Sequence, residues 1–339
     1  MKAIFFPEPK HVEIIEVPEP TYGADEVLVD VQIAGLCGTD LNVYRGLFPL
    51  VTFPRIPGHE ISGTVIAKGQ RVPEHIKIGD RVMLSPYSEC GQCPACRAGR
   101  FNCCEFNQTL GVQRDGAMTP RFAIHHSKVF SSSTLTFDEL ALVEPMSVGY
   151  HAANRGRVSE TDTVLVIGAG TIGIGAISAA VRKGATVIAA DIDDQKLALA
   201  RRFGVQHTIN STRQDVLATI KELTNNEGVS VAIEAVGLPE TFRLAVEAAC
   251  FAGRVVYIGY TKKEVSYNTQ DFVRKELDIL GSRNALRVFP SVIKMIEQRI
   301  LPFNDLISRR YPFAGAGEAF HDWDAAPNEF TKILIDIQG

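Results

Sequence analysis

The stretch from Val164 to Val181 constrains the fold more than any other part of this 339-residue chain. It is about as long as a membrane span and carries no charge, but it contains four glycines and breaks into two periods. Thr163–Ile167 is apolar and β-branched, as in a buried strand, and Ile172–Val181 is rich in alanine and isoleucine, as in a buried helix. A strand, a glycine turn and a helix therefore explain the stretch better than a membrane span does.

Strands and helices continue to alternate from about residue 160 to about residue 285. Strands are predicted at Val164–Ile167, Thr186–Ala190, Val231–Glu234 and Arg254–Gly259, and helices at Asp194–Phe203 and Pro239–Cys250. Alternation of this kind is typical of a doubly wound parallel sheet, because a helix must carry the chain back before the next parallel strand. Residues 148–285 are therefore predicted to form one α/β domain.

The first part of the chain has a different pattern, in which proline and glycine separate short β runs. Such runs lie at Ala3–Phe6, Val12–Val17, Val27–Ile33, Glu60–Ile66 and Asp80–Leu84. They predict an irregular, mostly antiparallel β domain over residues 1–147. A helix at Pro290–Arg299 and a strand at Lys332–Ile337 are predicted to return residues 286–339 to this domain. Two domains also suit the length, because a single core stops growing before 339 residues.

The turn between the strand and the helix has the sequence Gly168-Ala-Gly170-Thr-Ile-Gly173. A lone GxGxxG is weak evidence, but the strand before it and the helix after it indicate a dinucleotide-binding turn. Such glycines let the main chain approach a pyrophosphate, and the N–H groups at the start of the helix face the anion. The predicted cofactor contacts here are Gly168, Gly170, Thr171, Ile172 and Gly173.

The next predicted strand ends in Asp191, 18 residues after Gly173, where an acid accepts hydrogen bonds from the adenosine ribose. A carboxylate would repel a 2′-phosphate, and Ile192-Asp193-Asp194 offers no arginine to receive one, so NAD is predicted over NADP. Lys196 is equally well explained as a ribose contact or as a solvated helix residue. The remaining predicted cofactor contacts are Ile192, Lys196, Val236, Ser282 and Arg283.

Four cysteines follow metal-type spacings: Cys90, Cys93, Cys96 and Cys104. Four thiolates at two x2 spacings and one x7 spacing can close a tetrahedral site around one Zn²⁺. Six of the seven cysteines lie before residue 105, unlike the disulfide framework of a secreted chain. Cys103 is the alternative fourth ligand. The pattern predicts a structural zinc lobe over residues 86–112.

A second set of ligand types lies outside this lobe. Cys37, His59 and Glu60 offer a thiolate, an imidazole and a carboxylate, which can bind Zn²⁺ and leave one position open. Glu144 is a further candidate ligand and candidate catalytic residue. Taken alone, each has an ordinary alternative as a buried thiol, a satisfied histidine or a surface carboxylate.

The charge of the chain argues against nucleic-acid and membrane partners. The net charge is −4, and although Arg97 and Arg100 flank the cysteines, no basic stripe extends them, so neither nucleic acid nor a membrane surface is an expected partner. Free thiols at metal-type spacings indicate a reducing cytoplasm. The apolar run within Met1–Pro7 is too short for a signal peptide.

Taken in order, these motifs resemble those of the zinc-containing medium-chain alcohol dehydrogenases over essentially the whole chain. The resemblance implies a GroES-like catalytic domain that carries the zinc lobe, followed by a Rossmann nucleotide domain that binds NAD. It also implies two zinc ions per chain. The catalytic ion is bound by Cys37, His59 and Glu60, with Glu144 binding directly or through water, and the structural ion by Cys90, Cys93, Cys96 and Cys104. Members of this family are commonly oligomers, so a homodimer or homotetramer is expected.

Within that family the chain is most similar to the polyol, threonine and sugar-acid dehydrogenases, in which an acid-proline pair matches Glu144 and the proline after it. The resemblance makes Thr39 the candidate first acceptor of the substrate proton, with a turn residue that caps a helix as the alternative. Asp40 is a candidate partner that orients His59. Many members carry a histidine at the outer end of the proton relay. This chain has Asn42, which cannot titrate, so either water completes the relay, or Glu60 or Glu144, both candidate catalytic residues, handles the proton at the zinc.

The substrate is indicated by the segment Gly281–Ala285, which resembles that of dehydrogenases acting at C5 of sugar acids such as L-galactonate and L-gulonate. Arg283 offers a planar fork for a carboxylate, or alternatively contacts a cofactor phosphate or forms a structural ion pair. Arg45, Arg114 and Arg121 are other possible carboxylate partners, each with a surface alternative. A sugar acid or polyol is therefore expected, with sorbitol-type polyols or L-threonine as alternatives. A non-catalytic NAD-binding zinc protein is an alternative of another class.

Overall fold

The structure is a computed structural model that describes residues 1–48 and 51–339. The chain forms two compact units. One contains Met1–Glu144, Phe289–Arg299 and Phe303–Gly339, and the other contains Pro145–Val288 and Ile300–Pro302. Within the described residues, no helix combines the length and the apolar character needed to span a membrane.

Fifteen strands and ten α-helices make up the described chain. The strands are β1 (Lys2–Phe5), β2 (Glu13–Glu16), β3 (Glu26–Leu36), β4 (Glu60–Lys68), β5 (Arg81–Leu84), β6 (Arg121–His125), β7 (Val129–Ser131), β8 (Thr163–Ile167), β9 (Thr186–Asp191), β10 (His207–Asn210), β11 (Val229–Glu234), β12 (Ala249–Tyr257), β13 (Asp278–Gly281), β14 (Ile307–Pro312) and β15 (Lys332–Asp336). The helices are α1 (Gly38–Tyr44), α2 (Pro94–Arg97), α3 (Phe137–Arg155), α4 (Thr171–Arg182), α5 (Asp194–Arg202), α6 (Val216–Leu223), α7 (Pro239–Ala248), α8 (Thr269–Lys275), α9 (Phe289–Glu297) and α10 (Ala316–Ala325).

The first unit is built on a seven-stranded sheet. Its order is β14-β15-β3-β4-β5-β7, and β6 also pairs with β3. The pairing is antiparallel except between β14 and β15, which run parallel. β1 and β2 form a separate antiparallel pair. The predicted mostly antiparallel β domain is confirmed.

The register of this sheet assembles polar side chains from distant parts of the chain. Gly35 on β3 lies opposite Glu60, the first residue of β4. Cys37 follows β3 directly and His59 precedes β4 directly, so this pairing brings both to one edge of the sheet. β15 flanks β3 on its other side and begins at the same edge with Lys332.

An aromatic cluster in the apolar core of this unit anchors α1. The ring of Phe6 meets that of Phe320 edge-on, with centroids 5.0 Å apart, and the ring of Tyr44 stacks on Phe320 at 5.5 Å. All three side chains are buried, and burial of each stabilises the fold by about 1.5–3 kcal/mol. Because Tyr44 is the last residue of α1, this packing fixes the helix that begins just after Cys37.

The second unit contains a six-stranded sheet in the order β10-β9-β8-β11-β12-β13, with parallel pairing throughout. Helices lie between successive strands along the chain. Val164–Ile167 of β8 is buried without alternation, as a strand covered on both faces must be. This strand order is the one used by doubly wound dinucleotide-binding sheets, so the predicted fold class is confirmed.

Candidate metal and nucleotide sites

Three of the predicted ligands meet at the sheet edge where β3 ends. The Sγ atom of Cys37, a ring nitrogen of His59 and a carboxylate oxygen of Glu60 all lie within 4.8 Å of one another. Ligand atoms that surround one tetrahedral Zn²⁺ stand about 3.5 Å apart. Small side-chain movements would therefore close these three groups around an ion.

Cys37 is held at this edge by the start of α1. The main-chain N–H of Thr39 points at the Cys37 sulfur at 3.5 Å, and the Cys37 N–H donates to Oδ2 of Asp40 at 2.9 Å. The helix start thus holds the Cys37 sulfur in place at this site.

His59 is positioned by a buried carboxylate and by the glycine before it. Its Nδ1 lies 3.5 Å from Oδ1 of Asp40, and among the described residues neither atom has a hydrogen-bond partner. Burial disfavours the charged ring, but the charges of Asp40 and Cys37 outweigh it and hold the pKa of His59 well above its usual value. Gly58 has φ +110°, and a Cβ there would lie 2.7 Å from the side chain of Met118, so the turn requires glycine. Asp40 is placed to orient a ligating histidine.

Lys332 belongs to none of the sequence motifs, yet it also lies at this site. Its Nζ is 2.6 Å and 2.7 Å from the two carboxylate oxygens of Glu60, and it donates to the carbonyl oxygen of Leu36 at 2.9 Å. Both charged side chains are buried. Burial disfavours the ammonium, but the charge of Glu60 outweighs it and raises the pKa of Lys332. The sequence does contain one signal for this contact, because Lys332 begins a mostly apolar strand, and a charge buried there needs a partner.

Glu144 is a buried residue of α3 and is not one of the three residues that form the close group. It accepts a hydrogen bond from the hydroxyl of Tyr87. Burial raises the pKa of Glu144 to about 7, although the charge of His59 opposes the change. A carboxyl group with a pKa close to neutral can exchange a proton at physiological pH.

The residues at this site fit a divalent metal ion. Four of them can carry a negative charge, namely Cys37, Asp40, Glu60 and Glu144, whereas only Lys332 and His59 can carry a positive one. Burial of unbalanced charge is costly, so the excess negative charge favours a bound cation. A thiolate, an imidazole and a carboxylate are ligand types that Zn²⁺ binds. The donor set therefore suits catalytic zinc.

The four predicted structural ligands form a second group. The sulfur atoms of Cys90, Cys93, Cys96 and Cys104 all lie within 4.8 Å of one another. Those of Cys93 and Cys104 are 4.0 Å apart. The main-chain N–H of Glu105 is the largest of several hydrogen-bond donors that lower the pKa of Cys93 to about 6, which favours the thiolate. Cys103 lies outside this group, so the geometry favours Cys104 as the fourth ligand.

Serine substitutions at the two adjacent cysteines will test this assignment. Cys104→Ser is expected to lose the lobe zinc and to lower the melting temperature by roughly 5 °C or more, because metal binding stabilises the folded lobe. Cys103→Ser is the matched control and should keep both the zinc and the melting temperature. Metal analysis and thermal unfolding measure both effects. Zinc loss in Cys103→Ser alone would reverse the assignment.

The second unit contains the glycine turn at the end of β8. Gly170 caps α4, which begins at Thr171. Gly173 is packed so closely on Gly168 that a Cβ would overlap the Gly168 carbonyl oxygen. An anion at this turn would meet the N–H groups at the start of a 12-residue helix. The predicted order of strand, glycine turn and helix is present.

Asp191 ends β9 and reaches the glycine turn. Its Oδ2 accepts the N–H of Ala169 at 2.7 Å, and its Oδ1 accepts the N–H of Asp193 at 3.0 Å. Each carboxylate oxygen has a further lone pair, so both can also accept hydroxyl donors. Ile192 is exposed beside it, and Lys196 is half-buried on α5.

The other predicted cofactor contacts follow the carboxyl ends of neighbouring strands. Val236 is exposed and follows β11, and Ser282 is buried directly after β13, where its N–H donates to the Tyr257 carbonyl at 2.8 Å. Arg283 is the next residue. Parallel sheets bind ligands at this edge. The structure therefore gathers these residues with the glycine turn at one edge of the sheet.

Two family models match the chain. Residues 23–134 match the alcohol dehydrogenase GroES-like domain, and residues 171–298 match the zinc-binding dehydrogenase family. The first match contains Cys37, His59, Glu60 and the four-cysteine lobe, and the second begins at the first residue of α4.

Curated relatives align with almost the entire chain. An uncharacterized zinc-type alcohol dehydrogenase-like protein of Haemophilus influenzae is 36% identical, with 98% of each chain covered. A sorbitol dehydrogenase of Bacillus subtilis is 33% identical, covering 99% of this chain and 97% of its own. An L-galactonate-5-dehydrogenase of Escherichia coli is 30% identical, covering 99% and 98%.

Solved structures share the fold at similar identity. An Escherichia coli alcohol dehydrogenase complexed with NADH has a TM-score of 0.92 at 29% identity, with 99% of each chain covered. Galactitol-1-phosphate dehydrogenase from Escherichia coli has a TM-score of 0.91 at 30% identity, covering 99% of this chain and 100% of its own. A zinc-binding dehydrogenase from Sinorhizobium meliloti bound to NADP has the same TM-score of 0.91 and 30% identity, covering 99% and 98%. The chain is an oxidoreductase that belongs to the zinc-type medium-chain alcohol dehydrogenase family, in its polyol and sugar dehydrogenase branch.

Proposed function

We propose that this enzyme uses NAD to oxidise a secondary hydroxyl of a sugar acid, of the L-galactonate or L-gulonate type, or of a polyol, to the ketone. The observation that carries the proposal is the convergence of Cys37, His59 and Glu60 at one sheet edge, with ligand atoms within 4.8 Å. Relatives named for sorbitol and L-galactonate support this substrate class.

Two zinc ions per chain are part of the proposal, one in the four-cysteine lobe and one at the catalytic site. When bound, the catalytic Zn²⁺ supplies a Lewis acid that makes a substrate hydroxyl more acidic. Cys37, His59 and Glu60 hold this ion, and Glu144 binds it directly or through water. Asp40 orients the ring of His59 through Oδ1, which lies 3.5 Å from Nδ1.

Thr39 is the proposed first acceptor of the substrate proton. It is half-buried and lies two residues after Cys37, near the start of α1. Asn42 is exposed on the same helix and does not titrate, so it takes no part in proton transfer. Glu144 is the alternative carrier, because burial raises its pKa to about 7 and so allows proton exchange near neutral pH.

The preference for NAD is assigned to Asp191, whose carboxylate would accept the ribose hydroxyls and repel a 2′-phosphate. Asp191→Asn is expected to raise the KM for NAD by roughly 10-fold, because hydrogen bonds to a charged group are worth more than those to a neutral one. The same change should lower the KM for NADP. Steady-state kinetics with each cofactor at saturating alcohol measures both values. An unchanged ratio of the two KM values would contradict the role given to Asp191.

A substrate panel tests the proposed reaction. The panel is L-galactonate, L-gulonate, galactitol, sorbitol, L-threonine and ethanol, each with NAD, and kcat/KM is measured for every compound. The sugar acids or polyols should rank highest. Activity on ethanol alone would refute the proposal, and a preference for L-threonine would favour the threonine alternative. Metal analysis separates the enzyme, with two zinc ions per chain, from a non-catalytic scaffold with one.

A further inference from the structure

One segment of the first unit, residues 110–118, packs directly on the loop that carries His59. The N–H of Gly116 donates to the Ile56 carbonyl at 2.7 Å, and that of Ala117 to the Gly58 carbonyl at 3.1 Å. The N–H of Met118 likewise donates to the Pro57 carbonyl at 3.1 Å. The segment is therefore fixed to the main chain immediately before a proposed zinc ligand.

Arg114 lies in the tight turn of this segment, where its main chain bridges to that of Leu110. Its side chain is half-buried, and its Nε is fully buried without a hydrogen-bond partner in the described chain. Burial lowers the pKa of the Arg114 guanidinium, with Glu89 acting in the opposite direction. A partly desolvated guanidinium with an unused, buried donor is costly unless a ligand supplies the acceptor.

The carboxylates near Arg114 are occupied by other groups. Asp115, the next residue, binds Nη1 of Arg55 at 3.0 Å and accepts the N–H of Ile56 at 3.1 Å. Glu89 is paired with Lys128. Among residues 1–48 and 51–339, no carboxylate lies within 4.0 Å of the Arg114 guanidinium. The guanidinium charge of Arg114 is therefore available to bind an anionic ligand.

Arg45 and Arg121, two other possible partners of a substrate carboxylate, are already paired. Arg45 forms an ion pair with Asp324 at 2.5 Å, and Arg121 forms one with Glu19 at 3.1 Å. Neither needs a ligand to satisfy its charge. Arg114 differs from Arg45 and Arg121 because no carboxylate of the described chain forms an ion pair with it.

We propose that Arg114 is a specificity residue that binds the anionic group of the substrate, a carboxylate or a phosphate, while the hydroxyl to be oxidised lies at the metal site. The proposal rests on the proposed function and adds to it that a charged sugar derivative is preferred over the neutral polyol. The planar fork of an arginine matches either group with two parallel hydrogen bonds.

The test compares Arg114→Gln with the wild type on L-galactonate, galactitol 1-phosphate and neutral galactitol. The variant should raise the KM for the preferred anionic substrate by roughly 10- to 100-fold with little change in kcat, and leave galactitol unaffected. Arg114→Lys should recover part of the loss, because it keeps the charge without the fork. Arg121→Gln is the matched control and should behave as the wild type. The two anionic substrates distinguish carboxylate from phosphate recognition.

Each contrary outcome has a distinct meaning. If the wild type prefers an anionic substrate and Arg114→Gln weakens all three substrates equally or none, the role of Arg114 is wrong and the proposed function stands. If the wild type prefers galactitol to both anionic substrates, the preference added here is wrong, although a polyol dehydrogenase remains. If none of the three is oxidised, the preference added here is wrong, and the proposed function fails as well only if L-gulonate and sorbitol are not oxidised either.

Discussion

Replacement of Cys37 by alanine is expected to lower kcat/KM by about a thousandfold or more and to remove one of the two zinc ions. The Lewis acid contributes several kcal/mol of charge stabilisation in the transition state, and each 1.4 kcal/mol is about a factor of ten in rate. The fold should survive, because the half-buried Cys37 thiol is not part of the apolar core and its contacts are with the N–H of Thr39 at 3.5 Å and with His59. Metal analysis, circular dichroism and steady-state kinetics measure the three effects.

Cys250→Ala is the control for this variant. Cys250 is a half-buried free cysteine that belongs to neither metal group, so both zinc ions and full activity should remain. If Cys37→Ala also retained both ions, Cys37 would not be a ligand. If it lost both, the change would have disrupted the first unit as a whole, because Cys37 is absent from the lobe group.

The candidate ligands could be predicted because their chemistry is visible in the residue types. A thiol, an imidazole and a carboxylate at motif positions suggest zinc before any contact is known, and the pairing of β3 with β4 then brings them together. Lys332 could not be predicted in the same way. Its contact with Glu60 spans 272 residues of sequence and depends on β15 pairing with β3.

Helix α3 shows how packing overrides a local signal. Proline lacks the N–H for a helical bond and disfavours helix in the residue before it, so the Glu144-Pro145 pair is a local signal against a helix. In the structure Pro145 lies inside the 19-residue helix Phe137–Arg155. The residues Leu140–Val143 are buried on the preceding turn, and their burial offsets the lost bond.

The alternating strands of the second unit could be predicted because buried parallel strands are continuous apolar runs. The strand His207–Asn210 was not predicted. It is short, three of its four residues are polar, and it pairs only with β9 at one end of the sheet. An end strand needs little apolar character, so its sequence carries a weak signal.

Replacement of Lys332 by methionine is expected to destabilise the enzyme to a degree that depends on the catalytic metal. Removing one partner of a buried ion pair costs about 3–5 kcal/mol, because the other charge remains buried and unpaired. In a Cys37→Ala background, where the catalytic zinc is absent, Lys332 is the ion-pair partner of Glu60, so Lys332→Met should cost close to this full amount. In the wild-type background bound Zn²⁺ can offset the Glu60 charge, so the loss should be smaller.

The matched variant is Glu60→Gln combined with Lys332→Met, which removes both charges at similar volume. In the Cys37→Ala background it should recover most of the lost free energy of unfolding, because no buried charge is left unpaired. Urea unfolding of the single and double variants in both backgrounds gives the coupling energy between the two side chains. A coupling near zero in the Cys37→Ala background would mean that the close contact of Lys332 with Glu60 contributes nothing to stability. An equal cost of Lys332→Met in both backgrounds would mean instead that zinc does not share Glu60, and the ligand set would then reduce to Cys37 and His59 with Glu144.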